Sequence, residues 1–526
     1  MTSRDDGRSP EMEGGDPAGS AGGAGGKAPR GIDGRSPEMG GGDPAGPAGG
    51  AGGKAPRGIN GRSPASPVGV GSDSAGSAGG AGGKAARKID AIVIGAGLSG
   101  LVCARRLVDA GANAIVVEAR PRVGGRLWSG RVGDAVVDLG GQWLSVGQPR
   151  LLALAAELGV ASAPQPRAGR SVVDDGGRGD GLFAQLATMI AQWRAIRRIG
   201  RMARAIPPDA PGDAANAGAL DAIALGPWLA GTIGNPVARE RIAMHAELVF
   251  AADPAGLSLL GYLARLGATG GFAPRGPDLP GGGRDHRFVG GAQALALGLA
   301  EGLGGAVHLG APVRAIDRTG SRLVVHGPAG RLVADHVVLA LPPGLAVQLE
   351  IAPALPEPAR RLAAALQAGS VVKCFAAYDR AFWRDAGLSG EAYCSRGPVR
   401  AVVDASPPGG RPVLLGFVVG AAAATWHRRD PRERRCEVLD GFAGLFGEPA
   451  GTPLDYLEAD WASDPWSAGC VAATPPGALA AGASWRAPHD RIHLAGAEAA
   501  VQWPGYMEGA IEAGERAAGE VLAEPG

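Results

Sequence analysis

The sequence lacks the features that mark several large classes of protein. It contains no run of about 18 apolar residues of the kind that spans a membrane as a helix. Its formal net charge of +1 provides no global field for nucleic acid or for an anionic membrane. Its five cysteines are few and irregularly spaced, without a CxxC pair or a Cys/His cluster. We therefore expect reduced thiols, a cytoplasmic setting, no metal site and a small-molecule partner.

Glycine, in contrast, is abundant and unevenly distributed. The chain contains 91 glycines, and residues 7–33 recur almost unchanged at 34–60, with a degenerate third copy at 61–90. These repeats have no apolar face at helical or strand period, so stacking them would bury nothing. They also lack the apolar core and the paired arginines of secretory signals. We predict that residues 1–87 form a disordered, polar extension.

The sequence after the repeats has the pattern of a βαβ unit. A short apolar run at 92–94 is typical of a buried parallel strand, and the Gly-x-Gly-x-x-Gly pattern at 95–100 follows it directly. A helix comes next, Gly111 is placed to end it, and a second apolar run at 114–117 precedes Glu118. The apolar stripe of the helix consists of Leu101, Val102, Ala104, Leu107 and Val108. This order of elements indicates a dinucleotide-binding unit.

Each residue type in this unit has a physical role. Gly95 permits the tight strand-to-helix turn, Gly97 lets the backbone approach a diphosphate, and Gly100 lets the helix pack closely on the strand. The N–H groups at the helix N-terminus favour the negative charge of the diphosphate. Glu118, eighteen residues after Gly100, can accept hydrogen bonds from both ribose hydroxyls. The fingerprint by itself fits NAD as well as FAD.

The segment after the ribose acid is basic and contains a glycine pair. It begins with Ala119 and Arg120. Gly124 and Gly125 then expose N–H groups, and Arg126 supplies a cation, which suits a second contact with the diphosphate. The alternative interpretation is a surface turn with solvated arginines. The position directly after the ribose acid favours the cofactor interpretation.

At this point the sequence resembles the flavin amine oxidase family, which includes monoamine oxidases, bacterial putrescine and tyramine oxidases, polyamine oxidases and L-amino-acid oxidases. The resemblance covers residues 88–522, and the segments that carry it are IDAIVIGAGLSGLVCARRL, VVEARPRVGGRLWS, VDLGGQW at 137–143, RFVGGAQAL at 287–295, VVLALPP at 337–343, SVVKCFAAYDRAFW at 370–383 and the terminal RIHLAGAEAAVQWPGYMEGAIEAGERAA. It implies FAD as cofactor and an α/β fold, in which a discontinuous Rossmann-like domain is joined to an α+β substrate domain. The implied FAD-binding domain takes residues 88–170, 283–345 and 455–522, and the substrate domain takes 171–282 and 346–454.

Local patterns agree with a two-part fold. Residues 181–270 have alanine, leucine and arginine at helical spacing and should be mostly helical. Residues 370–420 contain alternating runs that predict strands. We expect these strands to form a sheet over the reactive face of the flavin.

The resemblance also assigns residues to the cofactor site. The loop implied to run beneath the flavin consists of Gly140, Gly141, Gln142 and Trp143. Pro312-Val313 resembles the strand whose backbone meets the adenine end. Trp461 resembles the tryptophan that packs on the isoalloxazine face.

A second group of implied cofactor residues lies near the end of the chain. Gly496 and Glu498 resemble residues near the ribityl and diphosphate groups, although Ala497 replaces the family's threonine. Met507 resembles the residue whose N–H meets the pyrimidine edge. A helix is predicted to begin there, and its N-terminus can stabilise negative charge on the reduced flavin.

Lys373 is a charged residue within a strand of alternating apolar character. A charged side chain is unfavourable in a buried strand unless it faces a polar cavity. Exposure at a sheet edge is the simpler explanation for a lysine at this position. The residue matches the family's lysine that holds a water near flavin N5. By this resemblance Lys373 favours reoxidation by O2, because a nearby cation stabilises the charge that develops.

Tyr506 resembles one wall of the family's aromatic cage, which guides the substrate nitrogen and favours the neutral amine. A packed core tyrosine is the structural alternative. The opposite wall departs from the family pattern, because Val471 stands where monoamine oxidases have the second tyrosine. Cys470, just before it, aligns with the cysteine that carries the flavin covalently in monoamine oxidases. Free cysteines are otherwise usually small core residues, and other family members bind FAD without such a bond.

The resemblance implies that a neutral amine loses hydride from its alpha carbon to flavin N5, that the imine hydrolyses, and that O2 becomes H2O2. Amino-acid oxidases of the family place an arginine where this chain has Gln142 and Trp143, so we expect an amine without a required carboxylate, unless an arginine elsewhere substitutes. L-amino-acid oxidation, a related oxidase or desaturase of secondary metabolism, and a catalytically silent flavoprotein stay open. The assembly that we propose for the chain is a homodimer.

Overall fold

The computed structural model describes residues 88–177, 181–271, 284–328, 330–479 and 484–524. The predicted disordered extension over residues 1–87 lies outside the described residues.

The described strands are β1 (Ile89–Ile94), β2 (Ala114–Val117), β3 (Ser129–Val132), β4 (Ala135–Asp138), β5 (Trp143–Leu144), β6 (Ser162–Pro164), β7 (Arg170–Asp174), β8 (His286–Phe288), β9 (Val307–His308), β10 (Ala315–Asp317), β11 (Leu323–Gly327), β12 (Gly330–Leu339), β13 (Glu350–Ala352), β14 (Gln367–Ala368), β15 (Val371–Ala377), β16 (Leu388–Cys394), β17 (Val399–Asp404), β18 (Val413–Val419), β19 (Asp455–Asp460), β20 (Ala472–Ala473) and β21 (Ile492–Leu494). The described α-helices are α1 (Leu98–Asp109), α2 (Pro149–Glu157), α3 (Leu182–Arg204), α4 (Ala217–Asp221), α5 (Leu225–Thr232), α6 (Pro236–Phe250), α7 (Leu259–Ala268), α8 (Gln293–Leu303), α9 (Pro343–Ala346), α10 (Glu357–Ala365), α11 (Phe382–Asp385), α12 (Gly420–Ala424), α13 (Pro431–Phe446) and α14 (Met507–Ala523).

A mainly parallel sheet forms one half of the fold. β9, β2, β1, β12 and β21 run parallel, and β11, β10 and β13 extend the sheet beyond β12. The central strands are continuously apolar because both faces are covered, and Ile92 and Val93 have no exposed surface. Helices α1, α8 and α14 cover one face, and α9 and α10 lie on the other.

The predicted βαβ unit is present as β1, α1 and β2. The helix ends at Asp109, and Gly111 follows with a φ of +90°. Leu101, Ala104 and Leu107 are buried as predicted. The prediction that Val108 belongs to the buried stripe is wrong, since Val108 is 39% exposed. Cys103 completes the buried face instead, because it lies one turn before Leu107.

The predicted strands of residues 370–420 form most of a second sheet. Its order is β19-β15-β18-β17-β16-β7, and all its pairs except β16 with β7 are antiparallel. Helix α13 packs on one face, and the β3–β4 hairpin packs on the other. β15, which carries Lys373, is an inner strand of this sheet.

The predicted helical region contains α3 to α7, which pack around one apolar cluster. This confirms the helical spacing of residues 181–270. No helix among the described residues has both the length and the apolar character needed to cross a bilayer.

Strand pairing suggests two changes to the predicted domain boundaries. β19 pairs with β15 in the second sheet, whereas β13 and α10 pack with the parallel sheet. We therefore propose that residues 346–366 belong with the FAD-binding part and residues 455–460 with the substrate part.

Candidate functional site

The turn between β1 and the start of α1 contains glycines that the packing of the chain requires and one that it does not. Gly95 has a φ of +106°, and a Cβ there would lie 2.7 Å from the carbonyl oxygen of Ala340. A Cβ at Gly100 would overlap the carbonyl oxygen of Gly95. A Cβ at Gly97 would meet nothing within 4 Å, and Gly97 precedes the first turn of α1, which has no side-chain cap. The chain itself requires Gly95 and Gly100, whereas Gly97 leaves room for a ligand at the helix N-terminus.

Glu118 lies at the end of β2 beside this turn. It is 4% exposed, and its carboxylate accepts hydrogen bonds from the backbone N–H of Ala96 at 2.7 Å and of Arg120 at 2.9 Å. Its carbonyl oxygen accepts the N–H of Ala311 at 2.8 Å, which brings the segment of Val313 close. The expectation that Val313 lies on a strand is wrong. It lies in the loop between β9 and β10, where the chain turns to pass Glu118.

The basic turn after Glu118 differs from the prediction at Gly124. Its N–H does not face a ligand, because it donates to the carbonyl oxygen of Ala96 at 2.8 Å. Arg120 also points into the protein, where it donates to Asp464 at 2.5 Å and to Ser467 at 2.7 Å. Gly125 has a φ of +56°, and a Cβ there would lie 3.1 Å from the Cα of Gly97. The turn therefore packs on the first glycine loop.

Arg126 joins three segments that are distant in sequence. Its guanidinium donates to both carboxylate oxygens of Glu498 at 2.6 and 2.8 Å, and to the carbonyl oxygen of Cys470 at 2.5 Å. Burial alone would raise the pKa of Glu498, but the charge and hydrogen bonds of Arg126 outweigh burial and lower that pKa. Gly496 has a φ of +93°, and a Cβ there would lie 2.9 Å from Leu341 O. The structure thus places the predicted residues Arg126, Glu498 and Cys470 together.

Lys373 lies in a cage of oxygen atoms. Its ammonium group donates to the carbonyl oxygens of Asp138 at 2.5 Å and Gly140 at 2.9 Å, and to Gln142 Oε1 at 2.6 Å. The side chain is 4% exposed on an inner strand, so edge exposure does not explain it. Burial lowers the pKa of Lys373 to about 7, against the opposing effect of the Asp138 carboxylate.

The predicted loop at 140–143 contains an unpaired donor. Gln142 is 4% exposed, and its Nε2 has no hydrogen-bond partner within the described part of the chain. A Cβ at Gly140 would overlap the carbonyl oxygen of Arg126 and would lie 3.1 Å from Trp461. A Cβ at Gly141 would lie 3.1 Å from Leu127. Buried amide groups are rarely left unpaired, so this donor fits a bound group with hydrogen-bond acceptors.

Two tryptophans flank this loop. Trp461 is 4% exposed, and its indole N–H donates to the carbonyl oxygen of Leu139 at 2.8 Å. The indole N–H of Trp143 donates to Gln165 at 3.1 Å, and its ring lies 5.9 Å from that of Phe417. Both rings are therefore fixed by polar contacts at their edges.

Tyr506 directly precedes α14, which begins at Met507 as predicted. The ring of Trp503 meets Tyr506 edge-on at 5.4 Å. A Cβ at Gly505 would lie 3.1 Å from Val471 Cγ1, so the turn before Tyr506 contacts Val471 directly. The structure brings the tyrosine and the substituted cage position to the same place.

Cys470 follows a tight turn with positive φ at Ala468, +54°, and Gly469, +133°. Its N–H donates to the carbonyl oxygen of Gly369 at 2.8 Å, which fixes the backbone. Burial raises the pKa of the thiol, whereas the cations of Arg126 and Lys373 act in the opposite direction.

Two arginines of this region were missed by sequence reasoning. Arg265 projects from α7 and is 7% exposed, and its guanidinium carbon lies 5.9 Å from the ring centre of Tyr506. Arg284 lies 5.1 Å from the ring of Trp143 and pairs with Glu391 at 3.7 Å. A charged residue on the apolar face of α7 was the available signal for Arg265. Arg284 has no comparable signal.

One group of metal-capable side chains occurs elsewhere in the described part of the chain. His336 on β12, His493 on β21 and Glu524 after α14 have ligand atoms within 4.8 Å of one another. The two imidazoles lie 3.2 Å apart, Nδ1 to Nε2. The expectation of no metal site therefore stays a prediction.

Comparisons with known proteins agree with this geometry. The sequence profile of the flavin containing amine oxidoreductase family matches residues 98–522. The chain is 37% identical over 443 residues to a putative flavin-containing monoamine oxidase of Mycobacterium tuberculosis, covering 83% of this chain and 97% of that protein. It is 33% identical over 449 residues to the flavin-containing amine oxidase B of Sus scrofa, covering 83% and 86%.

Solved structures show the same likeness. A putrescine oxidase bound to putrescine superposes with a TM-score of 0.79 at 31% identity, covering 83% of this chain and all of that one, 100%. The cyclohexylamine oxidase of Brevibacterium oxydans IH-35A gives a TM-score of 0.77 at 31% identity, covering 83% and 99%. The described fold is thus the fold of FAD-dependent amine oxidases. The chain belongs to the flavin-containing amine oxidase family, whose cofactor is FAD and whose members are oxidoreductases.

Proposed function

We propose that the protein oxidises a small amine to an imine, which hydrolyses to an aldehyde or ketone, with O2 reduced to H2O2. The observation that carries the proposal is the buried Lys373, held by the oxygens of Asp138, Gly140 and Gln142. A desaturase needs neither such a lysine nor an aromatic wall for an amine. The family membership supplies amine oxidation in general, and this cluster supports O2 as the acceptor.

The chain's own residues fit FAD. Gly97 leaves open space at the N-terminus of α1, Glu118 lies beside it, and Gln142 Nε2 is a buried donor without a partner in the described residues. FAD held by these residues would supply the redox chemistry, as a two-electron acceptor for the amine and a donor to O2. The residues proposed to hold it are Gly95, Gly97, Gly100, Glu118, Ala119, Arg120, Gly125, Arg126, Gly140, Gly141, Gln142, Trp143, Val313, Trp461, Cys470, Gly496, Glu498 and Met507.

Two side chains are proposed to act on the reactants. The ring of Tyr506 orients the amine, and the cation of Arg265, 5.9 Å from the ring centre, favours the neutral form that can lose hydride. Lys373, with a pKa near 7, holds or releases a proton at neutral pH. Its cationic form stabilises the negative charge that develops on O2.

Cys470 is proposed to hold the cofactor through a thioether. Forming this bond would remove the thiol hydrogen and one hydrogen of a flavin methyl group, and the two electrons released would pass to the flavin and then to O2. The backbone of Cys470 is fixed by Arg126 and Gly369, and its side chain is half-buried in the same cluster as Glu498. These contacts support the proposal, because a thiol must be held at one place to bond a bound ring. A homodimer and a cytoplasmic location stay predictions.

The experiment is a peroxide assay on the purified yellow protein with a panel of amines, including the classes that the relatives' names suggest. We expect at least one amine to give peroxide and carbonyl product in equal amounts. A protein that keeps its yellow colour with every amine, and releases no peroxide, would contradict the proposal and favour the silent flavoprotein.

A further inference from the structure

The positive charge of Arg265 indicates which class of amine the protein would oxidise. Resting on the proposed amine oxidation, we infer that the substrate carries a carboxylate and that Arg265 binds it. This reverses the sequence-based expectation of an amine without a required carboxylate. That expectation considered the positions of Gln142 and Trp143, whereas Arg265 comes from α7.

Arg265 is a buried cation without an acidic partner in the described part of the chain. It is 7% exposed. It donates to the backbone carbonyl oxygens of Pro504 and, at 3.4 Å, Ala472, and it forms no ion pair with an Asp or Glu among the described residues. Burying a charge that has no counter-ion is costly. An anionic ligand would remove that cost.

The position of the guanidinium points to the substrate as the source of the anion. A Cβ at Gly505 would lie 2.8 Å from Arg265 Nη1 and 3.1 Å from Val471 Cγ1. The guanidinium carbon lies 5.9 Å from the ring centre of Tyr506 and 5.2 Å from that of Phe250. Arg265 therefore lies beside both residues that form the walls of the proposed amine site, Tyr506 and Val471.

The other charges near Tyr506 do not neutralise Arg265. Arg284, whose charge also acts on Tyr506, is paired with Glu391 at 3.7 Å. The Glu498 carboxylate also acts on Arg265, but it is paired with Arg126 at 2.6 Å. The balance at this end of the site is therefore positive, which favours an anionic substrate end and disfavours a second ammonium group.

The geometry of the guanidinium suits a carboxylate in particular. A guanidinium has five N–H donors in a planar fork, and a carboxylate accepts two of them in parallel. The two backbone carbonyls at Pro504 and Ala472 hold the fork in one orientation, so little freedom is lost when the ligand binds.

The test compares substrates with and without a carboxylate. Pentylamine, 5-aminopentanoate and 1,5-diaminopentane carry a neutral, an anionic and a cationic group at the end remote from the amine. Phenethylamine and phenylalanine form a second pair, which differs by a carboxylate on the carbon that carries the amine. We expect the highest kcat/KM for the carboxylate members and the lowest for the diamine. Arg265→Met should lower kcat/KM for the carboxylate substrates by roughly 100- to 1000-fold, and the loss for pentylamine should be at least tenfold smaller than that.

Two further variants keep the test decisive. Arg265→Lys retains the charge but not the planar fork. Its kcat/KM for the carboxylate substrates should lie between the values for wild type and Arg265→Met, mainly because KM changes. Arg201→Met removes an exposed arginine of α3 and should change nothing. Equal kcat/KM for pentylamine and 5-aminopentanoate in the wild type, together with equal values for the aromatic pair, would overturn the inference and leave amine oxidation intact.

A binding measurement separates the two proposals. Pentanoate cannot be oxidised as an amine, so its effect on the flavin absorbance spectrum reports occupancy alone. We expect saturable binding by the wild type and at least tenfold weaker binding by Arg265→Met. If no amine is oxidised but pentanoate binds through Arg265, the proposed function fails and the carboxylate site stands. No pentanoate binding by the wild type would overturn the inference.

Discussion

The ammonium group of Lys373 lies 2.6 Å from the side-chain oxygen of Gln142, and both side chains are buried. Two backbone carbonyls complete the environment of the lysine, and burial lowers its pKa to about 7. The other end of the Gln142 amide has no hydrogen-bond partner in the described residues. The pair therefore combines a group that exchanges a proton at neutral pH with an unpaired donor.

Replacing Lys373 by Met should slow the reaction of reduced flavin with O2 by roughly 100-fold, because the cation that stabilises negative charge on O2 is lost. Reduction by the amine should change much less. Rapid mixing of reduced enzyme with oxygenated buffer measures the first step, and anaerobic mixing with amine measures the second. Lys88→Met is the control, since Lys88 is exposed. Equal reoxidation rates in wild type and Lys373→Met would remove Lys373 from the O2 step.

The same lysine predicts how stability depends on pH. Its pKa is about 7 in the folded protein and 10.5 in the reference state, so between these pH values the unfolded chain binds the proton and the native state does not. Wild-type stability should therefore rise relative to Lys373→Met as pH increases through this window, by up to about 3 kcal/mol. Melting both proteins at pH 6.5 and at pH 9.5 measures the change. A constant difference between them would show that Lys373 keeps an ordinary pKa.

Substitutions at Gly97 and Gly100, which both lie where β1 turns into α1, should have different effects. Gly97→Ala adds a methyl group that meets no protein atom within 4 Å, so the protein should fold but should bind FAD poorly. Gly100→Ala overlaps the carbonyl oxygen of Gly95 and should destabilise the fold itself, by about 1–3 kcal/mol.

Flavin content and melting temperature, with and without excess FAD, separate these cases. Excess FAD should raise the melting temperature of Gly100→Ala by mass action but should act weakly on Gly97→Ala. Full flavin content in Gly97→Ala would mean that the open space beside Gly97 is not the diphosphate site.

Sequence reasoning could propose most of the cofactor-binding residues because each proposal depends on a local feature. Gly95, Gly100 and Glu118 occupy fixed places in a βαβ unit, and strand alternation placed Lys373 on a strand. Only the structure shows that this strand is an inner one. What sequence could not supply was long-range contact. The pairing of Arg126 with Glu498 and the approach of Arg265 to Tyr506 depend on how distant segments pack. Gly124 was misassigned because its N–H is used by Ala96, a bond that only the folded turn reveals.

The covalent bond proposed for Cys470 has a simple test. Acid-denatured wild type should keep its yellow colour with the polypeptide, whereas Cys470→Ser should release the flavin into the supernatant. Cys436→Ser removes an exposed thiol and should behave as wild type. Complete release of flavin from the wild type would rule out a covalent bond and leave noncovalent FAD binding unaffected.

The central claim is that an amine reduces FAD in this site and that O2 reoxidises it. The most direct test is to mix the oxidised enzyme with substrate amine without O2, follow the visible flavin absorbance, and then admit O2. We predict bleaching in the anaerobic step, recovery of colour on aeration, and one H2O2 released per flavin. Absorbance that stays unchanged with every amine, or bleached flavin that O2 does not restore, would contradict the account.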